Sequence, residues 1–524
     1  MTIRILKHAK IYTGHPSTPW AQALAIVDGR ITALDEEALA WCEAPGAEVE
    51  DMNQALILPG LTDAHIHLMW YAHSLQALNL RGCTRQELID RVAERTSELP
   101  SERWITGRGW DQNIWEDTTF PTAEELDRVA PNHPVSLVAK SGHAMVVNSA
   151  ALDAAGITAE TPDPVHGKFS RDEHGRPTGI AFEHAMDLIK STIPPIPLDT
   201  TVDLLDEAQA HLLRLGITGV HDVDGKPAFT AFQTLKEKGR LRIRVVKYIR
   251  RAVLDEVLAL GLRSGFGDDH LRFGGLKLFA DGALGARTAA MFEPYEGEPR
   301  NAGFLTLEVD QLREIARRAV QGGLTLAVHA IGDRTNRVVL DILEDVQSFA
   351  PHLRHRIEHV QLIEEDDQRR LADAGIVASM QPIHAVHDIG MAERYWGTRS
   401  RNAYAWRSLK EAGAVLAFGS DAPIEIFDPF AGLYAAVTRR SEMNGDPGPQ
   451  GWYPEQRLSL IEAIDAYTWG SAYAAGMENR LGRLAPGYHA DLIVLDRDIF
   501  SLAPEALLET QVKRVMIAGD WQTL

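Results

Sequence analysis

The sequence predicts an α/β chain built on a (β/α)8 TIM barrel, with a small β-sandwich-like domain drawn from both chain termini and a large insertion after barrel strand 1. Three observations carry this expectation. Apolar runs that end in polar residues recur eight times, helical patterns follow them, and short strand-like segments cluster at both ends of the chain. Strands alternating with helices imply parallel βαβ units, and eight such units suggest a closed barrel.

Residues 1–57 read as short strands broken by turns: IRILKHAKIYTG, then ALAIVDGRITALD with Asp28-Gly29 as a hairpin signal, then ALILPG. Residues 476–524 contain GRLAPGYHADLIVLD and VKRVMIAGDW, which look the same. Each cluster is too small for a core of its own, so the two are expected to pair as one β domain. Residues 58–475 between them form the barrel. Its strands read as ALILPGLTDAHIH, TGVHDV (218–223), RIRVVKYI (242–249), LKLFADG (276–282), LTLAVHAIG (324–332), RIEHV (356–360), IVASMQP (376–382) and VLAFGSDAP (415–423). About 150 residues separate the first strand from the second, far more than a crossover helix needs. Residues 70–215, with GRGWDQNIWEDTTFPTAEELD and SGHAMVVNSAALDAAGI, therefore read as a subdomain inserted over the barrel mouth, where the loops after the strands lie.

Composition narrows the function. Hydrophobic residues at 45% and charged residues at 24% are ordinary for a globular chain. The balance of 53 basic to 73 acidic residues gives a formal charge of −20, which disfavours nucleic acid and anionic membranes as partners because both are polyanions. With Cys42 and Cys83 the only cysteines, neither a disulfide framework nor a thiolate metal site is supported. The opening MTIRILKHAKIYTG alternates like a strand rather than a signal peptide, and no stretch has the roughly 18 uninterrupted apolar residues of a membrane helix. A cytoplasmic enzyme acting on a small molecule is the expectation; a homo-oligomer would be compatible with so large a barrel.

The chemistry-bearing residues fall at strand ends. His65 and His67 in DAHIH end the first strand, where period-two alternation sends both rings to one side. Lys277 lies in LKLFADG, His329 late in LTLAVHAIG, His359 late in RIEHV, and Asp421 at the end of VLAFGSDAP. Each has an ordinary reading: His359 as a core histidine, Asp421 as a helix cap before Pro423, Lys277 as an ion pair with Asp281. Their joint placement on five strands, all near the C-terminal face, points to a metal centre. Imidazole and carboxylate suit zinc first, with manganese, nickel and iron open. A protonated lysine is a poor neighbour for a divalent cation, whereas a lysine carboxylated by carbon dioxide is an anionic ligand able to bridge two ions about 3.5–4 Å apart.

This pattern, HxH on the first strand, Lys on the fourth, His on the fifth and sixth, and Asp on the eighth, closely resembles the amidohydrolase superfamily over nearly the whole chain, with NRLGRLAPGYHADLIVLD similar to its return into the β domain. GRGWDQNIW, SGHAMVVNSAAL, GLKLFADGALGARTAAM and AVHAIGDRTN resemble amidohydrolase family 3, the branch that includes N-substituted formamide deformylase. The resemblance implies His65, His67 and Asp421 on one ion, His329 and His359 on the other, and Lys277 as the carboxylated bridge. It implies hydrolysis of a non-peptide C–N bond, an N-acyl or N-formyl amide, with Asp421 carrying the proton from water to the leaving nitrogen.

Within the insertion, Trp110 and Asp111 are candidates for an apolar wall and a polar anchor, and His143 for a hydrogen bond to substrate or tetrahedral oxyanion. His221 and His384 occupy suggestive strand-end positions, and Arg287, Arg334 and Asn336 could orient an anionic group. Two rival readings stand: a mononuclear deaminase of a ring amine, using His65, His67, one further histidine and Asp421, and a non-catalytic scaffold that keeps the fold.

Overall fold

The computed structural model describes residues 2–140, 142, 144–165 and 167–524. By contact density the chain divides into two units, residues 1–71 with 205–524, and residues 72–204. The division falls within the predicted 70–215 stretch, whose last residues belong with the larger unit.

The larger unit is organised by an eight-stranded parallel sheet: β1 (Leu61–Ile66), β2 (Ile217–Asp222), β3 (Arg244–Arg250), β4 (Leu271–Phe279), β5 (Thr325–Ala330), β6 (Arg356–His359), β7 (Val377–Met380) and β8 (Leu416–Phe418). Neighbours pair in sequence order from β1 to β8. The sheet nearly closes on itself just past β8, where Asp421 N–H donates to His65 C=O at 2.7 Å and His67 N–H to Ala422 C=O at 2.9 Å. Gly419 permits that approach: a Cβ there would lie 2.4 Å from the His65 nitrogen. This is the predicted TIM-type α/β fold, with the strands mostly buried because helices cover the sheet's outer face. The helix Val309–Gln321 shows the logic. It buries Leu312, Ile315, Ala316, Ala319 and Val320, the spacing of one helical stripe, and each large side chain so buried contributes about 1.5–3 kcal/mol.

The apolar run ALILPGLTDAHIH divides at Gly60 into two elements in different sheets. Leu56–Pro59 joins a six-stranded sheet, in the order Asp520–Trp521, Val512–Ile517, Leu492–Leu495, Leu56–Pro59, Lys10–Tyr12, Trp20–Ala21, while β1 starts the barrel. A four-stranded sheet of Arg30–Leu34, Leu24–Val27, Ile3–Lys7 and Ala47–Asp51 completes the terminal region. Its first hairpin turns through Asp28 and Gly29, both at positive φ (48° and 79°), as a two-residue turn of matching twist requires. Leu6, Ile11 and Ile57 share one core with Leu492, Val494 and Met516 from the other end of the chain.

The smaller unit has its own six-stranded mixed sheet, in the order Gly167–Arg171, Pro177–Glu183, Ala144–Val147, Val135–Ala139, Ile105–Trp110, Leu78–Asn79. Its helices Arg85–Glu98 and Ala123–Val129 both begin with capping boxes, Thr84 with Glu87 and Thr122 with Glu125. Among the described residues no helix is long and apolar enough to cross a membrane.

Candidate metal centre

Six residues predicted from the sequence meet at the C-terminal ends of the barrel strands. His65 lies in β1 and His67 just beyond it, Lys277 in β4, His329 in β5, His359 at the end of β6, and Asp421 in the turn after β8. One donor atom from each of His65, His67 and Asp421 lies within 4.8 Å of the others. Asp421 Oδ1 is 3.5 Å from His65 Nε2 and 3.5 Å from His67 Nε2. Lys277 Nζ is 3.4 Å from His65 Nε2. The His359 ring centroid is 4.9 Å from that of His65 and 4.6 Å from that of His329. His359 and Asp421 hold left-handed backbone, at φ 74° and 60°, a conformation that costs a non-glycine residue roughly 1–2 kcal/mol and persists where the surroundings impose it.

Each imidazole is held through one nitrogen. His65 Nδ1–H donates to Glu358 Oε2 at 2.5 Å, His67 Nδ1–H to Asp224 Oδ1 at 2.8 Å, and His359 Nδ1–H to Gln381 Oε1 at 2.7 Å. His329 is held the other way round, its Nε2–H donating to Gly282 C=O at 2.9 Å. The remaining donors are Nε2 of His65, His67 and His359 and Nδ1 of His329. Neutral imidazoles whose far nitrogen is fixed by a carboxylate or carbonyl, together with Asp421, are the donor set a divalent cation takes. The residues present fit a metal ion.

The electrostatics agree. Burial, with Lys277 adding to it, holds His65 down at about 4 and His329 at about 3, so both rings are neutral at pH 7. Burial also pulls the Lys277 amine down to about 8. Burial works against ionisation of Asp421, but the facing His384 and the rings of His65 and His359 hold its carboxyl well below the usual range. Glu358 is likewise kept ionised against burial by Arg356, which sits with it inside the barrel; neither side chain is exposed at all.

Sequence reasoning missed that supporting layer. Arg356 donates to Glu358, to His221 Nδ1 at 2.8 Å and to Ser379 Oγ at 2.8 Å, which makes His221 a buried acceptor beneath the centre. Asp63, the first residue of DAHIH, accepts from Ser420 N–H at 3.0 Å and from His65 N–H at 3.1 Å, tying β1 to the turn that carries Asp421. A charged pair two residues apart in an otherwise apolar strand, as in RIEH, was the available signal for Arg356 and Glu358.

Other predicted residues lie elsewhere. Trp110 is a correction: it is fully buried within the smaller unit, its indole N–H donating to Leu137 C=O at 2.8 Å and its ring stacked on Trp115, so it presents no wall to a ligand. Asp111, partly buried, follows it directly. His143 lies outside the described residues. His384 is buried with Nε2 3.6 Å from Asp421 Oδ2. Arg287 is committed to Glu298, Arg334 is exposed, and Asn336 is a buried brace whose amide donates to Gly332 and Leu362 carbonyls. Asp281 does not pair with Lys277; it accepts from the Ala290, Ile331 and Gly332 amides.

Comparison with known proteins places the whole arrangement. The model of the amidohydrolase family matches residues 48–521. The chain belongs to the amidohydrolase family. It is 34% identical to YtcJ of Bacillus subtilis (strain 168), over 97% of each chain. It is 30% identical to the N-substituted formamide deformylase of Arthrobacter pascens, over 98% of this chain and 96% of that one. Among solved structures, an uncharacterized metal-dependent hydrolase from Pyrococcus horikoshii OT3 superposes with a TM-score of 0.82 at 31% identity, covering 96% of this chain and 99% of that one. With the family comes the reaction class: the chain is an enzyme that hydrolyses carbon–nitrogen bonds, and His65, His67 and Asp421 give it a site fit for a metal ion.

Proposed function

We propose that this amidohydrolase cleaves a small-molecule N-acyl or N-formyl amide at a two-metal centre bridged by carboxylated Lys277. The observation that carries the reading is Lys277 itself. Its amine is buried among imidazoles, and among the described residues no carboxylate lies within ion-pair distance of it. An ammonium so placed is costly. With its pKa down at about 8, roughly a tenth of the amine is neutral at pH 7, and a neutral amine adds to carbon dioxide, losing a proton to leave an anionic carbamate. The kinship with N-substituted formamide deformylase supports an amide as substrate.

In this reading Nε2 of His65 and His67 with Asp421 would hold one ion, and Nδ1 of His329 with Nε2 of His359 the other, the Lys277 carbamate serving both; zinc suits this donor set best. Bound there, the ions supply a water of lowered pKa and a Lewis acid for the amide carbonyl. The chain supplies the rest. Glu358, Asp224, Gln381 and the Gly282 carbonyl fix the four rings before substrate arrives. Asp421, held ionised, takes the proton of the attacking water and delivers it to the nitrogen as the C–N bond breaks, releasing carboxylic acid and amine. His384 faces its second oxygen.

The test is elemental analysis of protein purified without chelator, with a panel of N-formyl and N-acyl amines scored by amine release. About two ions per chain and amine release are expected. One ion per chain, or ammonia released from ring amines with no amide cleaved, would overturn the proposal.

A further inference from the structure

We infer that Arg250 is the anion-recognition residue of the site, and that the amide it serves carries a carboxylate; the assignment rests on the amide-hydrolase reading above. The last residue of β3, Arg250 pairs in register with Lys277 of β4. Registered residues on neighbouring strands present their side chains to the same face of a sheet, with the backbones about 4.8 Å apart. Arg250 therefore shares the inner face of the barrel with the lysine of the metal centre. Both cations lie over one ring: the Arg250 guanidinium carbon is 4.7 Å and Lys277 Nζ 5.0 Å from the centroid of Phe279. That ring, in register with His329 and 5.3 Å from it, keeps 36% of its surface exposed.

Three other basic side chains of the barrel strands are matched. Lys247 pairs with Asp222 at 2.6 Å, Arg356 with Glu358, and Arg244 with both oxygens of Asp491. Arg250 is different. Its Nε–H donates to the Val223 carbonyl at 2.8 Å, and among the described residues no carboxylate lies within ion-pair distance. Its two terminal nitrogens, four N–H groups in a planar fork, have no hydrogen-bond partner or ion pair among the described residues. A guanidinium stays charged, and a partly buried one left without a counter-ion is costly. The fork matches a carboxylate in bidentate geometry, and the guanidinium lies over the Phe279 ring. Burial lowers the affinity of Arg250 for its proton, while the nearby charges of Asp224, Asp222 and Asp421 raise it, which places the guanidinium within the field of the reacting carboxylate. A carboxylate seated here would leave an adjacent amide one strand away, at Lys277.

Two substrates that differ only by the carboxylate test this: N-formylphenylalanine, as both enantiomers, and N-formylphenethylamine. The readout is the ratio of their kcat/KM values in the as-purified enzyme and in Arg250→Gln, with metal content measured on both. Losing a charge-assisted bidentate contact changes binding by about 10- to 100-fold. The wild-type ratio should favour the carboxylate by that factor and collapse towards one in the variant, mainly through KM. A second readout is independent of turnover: calorimetric binding of phenylalanine against phenethylamine to the same two proteins, where the preference for phenylalanine should be lost in Arg250→Gln. Should glutamine prevent folding, Arg250→Lys keeps the charge without the fork and should give an intermediate ratio. If neither amide is cleaved but phenylalanine binding still depends on Arg250, the amide reading fails and the anion site stands. A wild-type enzyme with no preference for the carboxylate in either readout, or a preference equal in the variants, overturns the inference.

Discussion

Replacing Glu358 with glutamine tests whether the charge inside the barrel is what holds the centre together. The substitution keeps shape and an acceptor for His65 Nδ1, but removes the negative charge facing Arg356. Both side chains are completely buried. Breaking a buried pair by removing one partner costs about 3–5 kcal/mol, because the other charge stays in low dielectric without compensation. Here Arg356 keeps hydrogen bonds to His221 Nδ1, Ser379 Oγ and Ala64 C=O, so the lower figure, about 3 kcal/mol, is expected. With an unfolding entropy of about 2 cal/mol/K per residue across the barrel unit, ~3 kcal/mol lowers its Tm by about 4 °C. The same change weakens the orienting bond on His65, which should cost about 10- to 100-fold in metal affinity. Calorimetry of the metal-free protein and chelator competition on the loaded protein measure the two effects separately. The double variant Arg356→Met/Glu358→Gln removes the unmatched charge and should recover part of the lost Tm. A Glu358→Gln protein with unchanged Tm and metal affinity, or a double variant whose losses simply add, would refute the electrostatic argument.

Four further outcomes follow from the same geometry. Lys277→Met should lower the metal content by at least one ion per chain in elemental analysis, and full occupancy would remove the lysine from the centre. Asp421→Asn should abolish amine release while most of the metal is retained, since the amide oxygen can still ligate but cannot carry the proton; substantial turnover would reassign the base. Asp224→Asn should weaken metal binding about 10- to 100-fold by loosening His67, measured by the same chelator competition. The fourth concerns pH. His387 is clamped between Glu425 at 2.7 Å and Glu442 at 2.9 Å, and although burial opposes it, the two carboxylates raise its pKa to about 10. Relative to an unfolded value near 6.5, this stabilisation is fully present below about pH 6.5 and lost as pH rises through about 10. Denaturation midpoints should fall across that window in the wild type and less so in His387→Asn; parallel curves would show that His387 does not titrate there.

What the sequence could disclose, and what it could not, divides along a physical line. The barrel strands were legible because most strands covered on both faces are rich in apolar residues, and a strand ending at the site finishes in a polar one. His65, Lys277, His329 and Asp421 each sit at such an ending. The boundary inside ALILPGLTDAHIH was not legible, because period-two alternation is the same whichever sheet a strand joins; the two halves part at Gly60 because Leu56–Pro59 pairs with Leu492–Leu495 and β1 with β2. Trp110 misled for a related reason. A tryptophan at a strand end carries the same letters whether it lines a pocket or fills a core, and here the Leu137 carbonyl and the Trp115 ring make it core.

The partners of the ligands raise a harder problem. Glu358 meets a histidine 293 positions away and Asp224 one 157 positions away, and no local spacing encodes either contact. They can still be reasoned towards from the ligands. A buried imidazole that is to bind a cation through one nitrogen needs an acceptor for the other, and in a barrel that acceptor must come from an inward position on a nearby strand or the turn beyond it. In RIEH the inward positions of β6 are Arg356 and Glu358, so by simple alternation His359 would point outwards. Its ring reaches the centre only because the chain turns left-handed at His359 and Val360, with φ 74° and 45°. The strain and the placement thus have one cause: β6 puts a carboxylate against His65 and a histidine ring beside it from consecutive residues, which a regular strand cannot do. A glycine at Val360 would relieve the backbone there without touching a ligand. Elsewhere in the chain such a change would be expected to leave the protein little altered or less stable; here Val360→Gly should have its cavity cost partly offset by released strain.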